Sequence, residues 1–129
     1  MGIKKEIQIL LAEDNMINRQ IATIIFKQME LTFDIASDGR EAFEMHQKNR
    51  YDLIFMDIQM PVMSGLEATQ LIRAYEKEAG LPLKVYIVAL TASIVAEKKE
   101  ECMLAGIDEF LEKPLMKNKL AKLMSQFGI

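Results

Sequence analysis

Three nearly continuous apolar runs, Ile7 to Ala12, Leu53 to Met56 and Val85 to Leu90, constrain this chain more than any other feature. A strand solvated on one face alternates apolar and polar residues, whereas an unbroken run suits a strand buried on both faces of a parallel sheet. The three runs therefore read as central strands. Two weaker segments complete the set: Thr32 to Ala36, where Phe33 and Ile35 alternate with polar residues, and the very short Glu109 to Leu111. Both suit the edges of a sheet. Between the strands lie segments with helical spacing, clearest at Ile17, Ile21, Ile24, Ile25 and Met29, and at Leu120, Leu123, Met124 and Phe127. Five strands alternating with five helices through right-handed crossovers give an α/β fold, a doubly wound parallel sheet covered on both faces. Gly39, Gly65, Gly80 and Gly106 mark the expected boundaries.

Length and composition fit one domain over residues 1–129: half of the residues are apolar and the net charge is only -3. A core of this size needs neither a disulfide nor a structural metal. The fifth helix is expected to run to the end, leaving no second domain. Cys102 is the only cysteine, which points to a reducing, cytoplasmic setting. The longest apolar runs, about six residues, fall far short of the roughly 20 that a membrane span needs. The opening MGIKKEIQIL reads as a first strand rather than a signal peptide. From Lys113 onward there are lysines and no acid. That pattern fits a solvated helix face that suits the helix dipole, so no nucleic-acid partner is expected.

In an open parallel sheet, ligands gather at the carboxyl ends of the strands, where strand order reverses. The residues just after each apolar run are therefore informative. Glu13, Asp14 and Asn15 come after the first, Asp57 after the third, Thr91 after the fourth, and Lys113 and Pro114 after the fifth strand. Each has a structural explanation alone: Asp14 or Asn15 could cap the first helix, and Thr91 or Ser93 the fourth. Together they place three acids, a hydroxyl and an amine on one edge. Carboxylates so placed repel by several kcal/mol at an effective dielectric of about 20. Lys113 can neutralise one charge, and the remainder suits a hard divalent cation with oxygen ligands, magnesium above all. Such a site can bind a phosphoryl group and let a carboxylate attack it, forming an acyl phosphate.

These residues resemble the receiver domain of two-component response regulators. The resemblance runs through ILLAEDN at 9–15, YDLIFMDIQMPVMSG at 51–65, IVALTA at 87–92 and AGIDEFLEKP at 105–114, in order and at the family's spacings. It implies a flavodoxin-like sheet of strand order 2-1-3-4-5. It also implies that Asp57 is phosphorylated by a phosphohistidine on a histidine kinase or histidine phosphotransfer protein. Asp14 and Asp57 would ligate magnesium directly, Glu13 through a water, and Gln59 through its backbone carbonyl, with manganese as an alternative ion. Lys113 would contact the phosphoryl oxygen, and the Lys113–Pro114 bond is expected to be cis.

The same resemblance makes Thr91 and Phe110 the switch pair, remodelling the surface of the fourth helix, fifth strand and fifth helix. Phe110 lacks the hydroxyl that a tyrosine would use to anchor its outward position, so looser coupling is expected. Gln59 and Ser93 stand where relatives tune acyl-phosphate lifetime, and Ser64 is a turn residue. The domain would catalyse its own magnesium-dependent phosphorylation and dephosphorylation while acting mainly as a signalling switch. Asn15, Asn18 and Arg19, with Glu100-Glu101-Cys102, look like receivers fused to hybrid histidine kinases.

Rival classes lack their signatures. A flavin-binding protein of this topology needs a Ser/Thr/Gly-rich phosphate loop after the first strand, where this chain has Glu13-Asp14. A dehalogenase-type phosphohydrolase needs Asp-x-Asp there. A receiver that has become a pure interaction module remains a third reading. His46, flanked by polar residues on the second helix, reads as a surface or boundary residue, and the methionines as core filler.

Overall fold

The computed structural model describes residues 7–92 and 95–127. Elements alternate as β1 (Ile9–Ala12), α1 (Met16–Gln28), β2 (Phe33–Ala36), α2 (Gly39–Asn49), β3 (Leu53–Asp57), α3 (Gly65–Ala79), β4 (Tyr86–Thr91), α4 (Ala96–Ala105), β5 (Glu109–Glu112) and α5 (Lys117–Met124). A 3-10 turn comes after them at Ser125–Phe127. All strand pairings are parallel, in the order β2-β1-β3-β4-β5. The three apolar runs form the centre and the two weak segments the edges, as their patterns require.

Side chains alternate across a strand, so a run buried on both faces must feed two cores. Leu10, Ile54 and Ile87 enter one core with Ala42, Ala68, Ile72 and Cys102. Ile9, Leu11, Phe55 and Val88 enter the other with Phe26, Leu120, Leu123 and Met124. The register keeps these sets apart: Ile9 pairs with Leu53, Leu11 with Phe55, and Phe55 with Val88. Each large side chain so buried contributes about 1.5–3 kcal/mol. The strands are thus fixed in register, and with them the residues at their carboxyl ends.

The first helix departs from the expected stripe. Its buried residues are Ala22, Ile25 and Phe26, while Ile17 and Ile24 are 66% and 56% exposed. At about 100° per residue, Ala22, Ile25, Phe26 and Met29 share one face, and Ile17 and Ile24 fall on the opposite one. The bulky Phe26 selects the inward face, packing edge-on against Phe33 with ring centroids 4.8 Å apart. His46 also departs from expectation. It is buried, and its Nδ1 accepts a hydrogen bond from the Tyr51 backbone N–H at 3.1 Å, which places the ring proton on Nε2. Burial holds its pKa below the ordinary value.

Local chemistry sets the helix starts. Asn15 caps α1 by accepting from the Asn18 N–H, and Asp38 caps α2 by accepting from the Glu41 N–H. Ser64 is more than a turn residue: it caps α3 in a reciprocal capping box with Glu67. Helix α4 begins at Val95 with no side-chain cap. Gly65 has a more specific duty. Its N–H donates to the Ile58 carbonyl, and a Cβ there would collide with the Asp57 carbonyl and the Met56 side chain.

Arg73 joins the opposite end of the sheet to its helices. Its guanidinium donates to the carbonyls of Gly106 and Val85 and pairs with Glu76 at 2.8 Å and Asp108 at 2.7 Å. The buried Glu76 also accepts from the Val85 N–H, and Asp108 from the Ile87 N–H. Every polar atom drawn inside this cluster gains a partner, the condition under which such burial is tolerated.

This packing sets two expected outcomes. Gly65→Ala should lower stability by about 1–3 kcal/mol, as overpacking against backbone does, read as a reduced urea midpoint. His46 is the only histidine, so its imidazole resonance can be traced by NMR through a pH titration. Its midpoint should lie below 6.5. Stability complete above pH 6.5 should be lost as the pH falls through that midpoint, because the unfolded chain takes up a proton that the native one refuses. A midpoint at or above 6.5 would contradict the burial.

Candidate functional site

Asp57 is the last residue of the central strand β3 and is buried. Its neighbour β1 ends one register position earlier, with Ala12 beside Met56, so Glu13 and Asp14 emerge next to Asp57. The Glu13 N–H donates to the Ala36 carbonyl, which extends the sheet by one bond and keeps this residue from swinging away. Glu13 is buried and Asp14 exposed. One carboxylate oxygen from each of Glu13, Asp14 and Asp57 lies within 4.8 Å of the others.

Lys113 closes the cluster. Its Nζ stands 2.9 Å from Asp57 Oδ1 and 3.2 Å from Glu13 Oε1. Its backbone N–H donates to the Thr91 carbonyl at 2.7 Å, which anchors the residue at this edge, and the Lys113–Pro114 peptide bond is cis. Asp57 Oδ1 also accepts from the Gln59 N–H at 3.1 Å, and Glu13 Oε2 from the Asn15 N–H at 3.2 Å.

The electrostatics reflect this crowding. Glu13 is pushed up to about 7, first by burial and then by its hydrogen bond to Asp57 and the charge of Asp57; Lys113 and the Asn15 N–H pull the other way. Burial alone would lower the Lys113 pKa, but the hydrogen bond and charge of Asp57, with those of Glu13, outweigh it and raise the value. Three carboxylates against one ammonium leave a deficit of two positive charges. The donors are all oxygens, with no histidine or cysteine among them. That set fits a hard divalent cation of the magnesium type and does not fit zinc.

Thr91, the last residue of β4, lines a cleft of about 170 Å3 with Asp57, Gln59 and Lys113. The sheet therefore brings Glu13, Asp14, Asp57, Gln59, Thr91 and Lys113 to one edge. Phe110 lies farther along on β5, half-buried, beside Ala89 of β4. The Lys99 Nζ sits 5.6 Å from the centre of its ring. Ser93 lies outside the described residues. Sequence reasoning does not reach Lys98, which lines the Asp57 cleft and also a second cleft beside Asp14. Nothing in its neighbours sets it apart from the other charged residues of α4.

The model of the response regulator receiver domain family matches residues 9–125. Histidine kinase 5 of Arabidopsis thaliana is 39% identical over 93% of this chain, which spans 15% of that kinase's length. Hybrid signal transduction histidine kinase F of Dictyostelium discoideum is 36% identical over 98% of the chain, which spans 12% of it. Among solved structures, one chain comes from the co-crystal of the Saccharomyces cerevisiae histidine phosphotransfer protein Ypd1 with the receiver domain of its downstream response regulator Ssk1. It superposes with a TM-score of 0.89 at 34% identity, covering 98% of this chain and 92% of that one. The receiver domain of sensor histidine kinase PA1611 from Pseudomonas aeruginosa PAO1, solved with a magnesium ion coordinated in its active-site cleft, gives 0.82 at 32% identity, over 95% of this chain and 97% of that one. With its strand order, its acidic edge and these matches, the chain belongs to the response regulator receiver domain family.

Proposed function

We propose that residues 1–129 form one receiver unit in which Asp57 accepts a phosphoryl group from a phosphohistidine on a histidine kinase or a histidine phosphotransfer protein. The observation that carries this reading is the Lys113 ammonium, seated between Asp57 and Glu13 at the tip of a central strand. A structural salt bridge needs only one carboxylate. Three carboxylates sharing one lysine at a cleft make a site that calls for more positive charge, and that suits a divalent ion and a phosphoryl group together.

Asp14 and Asp57 would hold magnesium directly, Glu13 through a water and Gln59 through its backbone carbonyl, with manganese as the alternative ion. The bound ion would supply charge that draws phosphoryl oxygens toward a carboxylate that otherwise repels them. Asp57 attacks phosphorus, and the donor leaves with the electron pair of the broken bond. Lys113 holds a phosphoryl oxygen through its ammonium, and Thr91 offers its hydroxyl from the same cleft. The site would run both its own phosphorylation and the hydrolysis that ends the signal, Gln59 and Ser93 setting the lifetime of the acyl phosphate.

Phosphorylation would draw Thr91 inward and let Phe110 repack, altering the surface of α4, β5 and α5. That surface already carries exposed apolar residues, Met103 at 61% and Leu104 at 83%, of the kind that partners read. Relatives that are hybrid histidine kinases support a place in a phosphorelay, and the buried free Cys102 suits a reducing, cytoplasmic setting. Among the described residues no helix is long and apolar enough to cross a membrane.

Intact mass after incubation with acetyl phosphate should rise by one phosphoryl group when magnesium is present. The gain should vanish with EDTA and in Asp57→Asn. A native chain that stays unmodified by acetyl phosphate and by a phosphorylated histidine phosphotransfer protein would sink the acceptor reading. Glu13 gives a pH test on the metal-free protein. Its native pKa, about 7, lies above the ordinary 4.5. Its contribution to stability is therefore present below pH 4.5 and lost as the pH rises through 7, while magnesium affinity should fall as the pH drops below 7. Urea midpoints for native and Glu13→Gln chains across pH 4.5–8 should diverge along that slope, and parallel curves would refute it.

A further inference from the structure

Lys98 is half-buried in the first turn of α4. It lines the cleft of about 170 Å3 that holds Asp57, Thr91 and Lys113, and also a more open cleft of about 450 Å3 bounded by Asp14 and Gln59. It forms no ion pair with a described carboxylate. The next residue, Lys99, is engaged over the Phe110 ring instead. A cation in the first turn of a helix also works against the helix dipole, so local helix chemistry does not account for a lysine at this position.

Charge bookkeeping at the site gives Lys98 a purpose. Three carboxylates are balanced by Lys113 and one divalent ion. When an Asp57 oxygen attacks the phosphorus of acetyl phosphate, the phosphorus–oxygen bond to the acetyl group breaks. Acetate leaves with the bonding pair, and no proton has to move. Asp57 is then a neutral acyl carbon, but the new phosphoryl group brings about two negative charges. Two carboxylates and that group now face only three positive charges, one too few. The phosphorylated site is thus short by a single cation, and a lysine that forms no ion pair with a described carboxylate lines its cleft.

We propose that Lys98 is a further phosphoryl-binding residue of this site, drawing in the anionic phosphodonor and balancing the acyl phosphate once formed. The inference rests on the acceptor reading of Asp57 and adds a residue to it. It also implies a cost before phosphorylation, because the same ammonium repels the divalent ion that the acidic cluster attracts. Removing it should therefore move two measured quantities in opposite directions, which loss of folding would not do.

The test compares native chain, Lys98→Gln, Lys98→Arg and Lys84→Gln. The last removes the same charge just ahead of β4, at the far end of the sheet. Intact mass would track the rate of modification by acetyl phosphate and the decay of the phosphorylated form. Calorimetry would give magnesium affinity in the absence of phosphodonor. Lys98→Gln should slow modification by about fivefold, the upper range for one partly exposed ion pair, shorten the lifetime of the phosphorylated form, and tighten magnesium binding. Lys98→Arg should restore all three, and Lys84→Gln should match the native chain. Unchanged values in Lys98→Gln, or shifts of modification rate and magnesium affinity in the same direction, overturn the assignment. Native chain that takes no phosphoryl group from acetyl phosphate or from a phosphorylated histidine phosphotransfer protein sinks the acceptor reading and this inference with it; native chain that is modified but indifferent to residue 98 sinks the inference alone.

Discussion

The Lys113 ammonium between Asp57 and Glu13 is the contact on which the acidic edge depends. Two carboxylates 4.8 Å apart repel by about 3–4 kcal/mol at an effective dielectric of 20. This fold places three of them together, two of them buried. The repulsion would otherwise fall on the tips of β1 and β3, the strands that carry both cores. Lys113 offsets it from the end of β5, a strand of only four residues with no fully buried side chain. So weak an edge strand is held by its bonds to β4 and by the carbonyl of Thr91, which fixes the lysine's own N–H. The acidic pair and the edge strand thus stabilise each other, and the residual negative charge stays available for an ion.

At the other end of the sheet, Arg73 performs a matching task with the opposite chemistry. The acidic edge keeps charge unbalanced and partly open, whereas Arg73 satisfies Glu76, Asp108 and two carbonyls at once. It links α3 to the start of β4 and to the turn that ends α4. The amino end is thus tied together by side-chain bonds, whereas at the carboxyl end α4 starts without a side-chain cap. Uneven stability of this kind is what a switch requires, since elements that move must come from the less firmly held part of a fold.

The sequence discloses the site more readily than its supports. Asp57, Thr91 and Lys113 each stand at the end of a strand that residue pattern alone reveals, so a general rule about parallel sheets locates them. Asn15 is legible for a similar reason, since a cap acts on residues only three positions away, whereas Ser64 reads as a turn residue until its pairing with Glu67 is seen. Arg73 and Asp108 are 35 positions apart, and no local pattern connects them. His46 has polar neighbours and so reads as a surface residue, but the helix face it occupies turns toward Tyr51. Ile17 and Ile24 are apolar and so read as buried, yet Phe26, the larger side chain, claims the inward face. In each case the deciding fact is the direction of a side chain relative to a partner distant in sequence.

The Lys99–Phe110 contact gives the ring at this position a partner that needs no hydroxyl. An ammonium over an aromatic face contributes about 0.5–1 kcal/mol at a partly exposed site, comparable to one net hydrogen bond. Phe110 therefore touches α4 through its ring, a contact that the absent hydroxyl plays no part in. A hydroxyl pairs with whichever acceptor lies nearby, whereas this ring packs beneath a side chain of α4. Lys98 and Lys99 are successive residues on that helix, one lining the Asp57 cleft and one lying over Phe110. A rigid shift of the helix backbone moves the stems of both. An equilibrium displaced by about 1.4 kcal/mol changes tenfold, so even modest attraction of Lys98 toward a phosphoryl group is large enough to compete with the contact that holds Phe110.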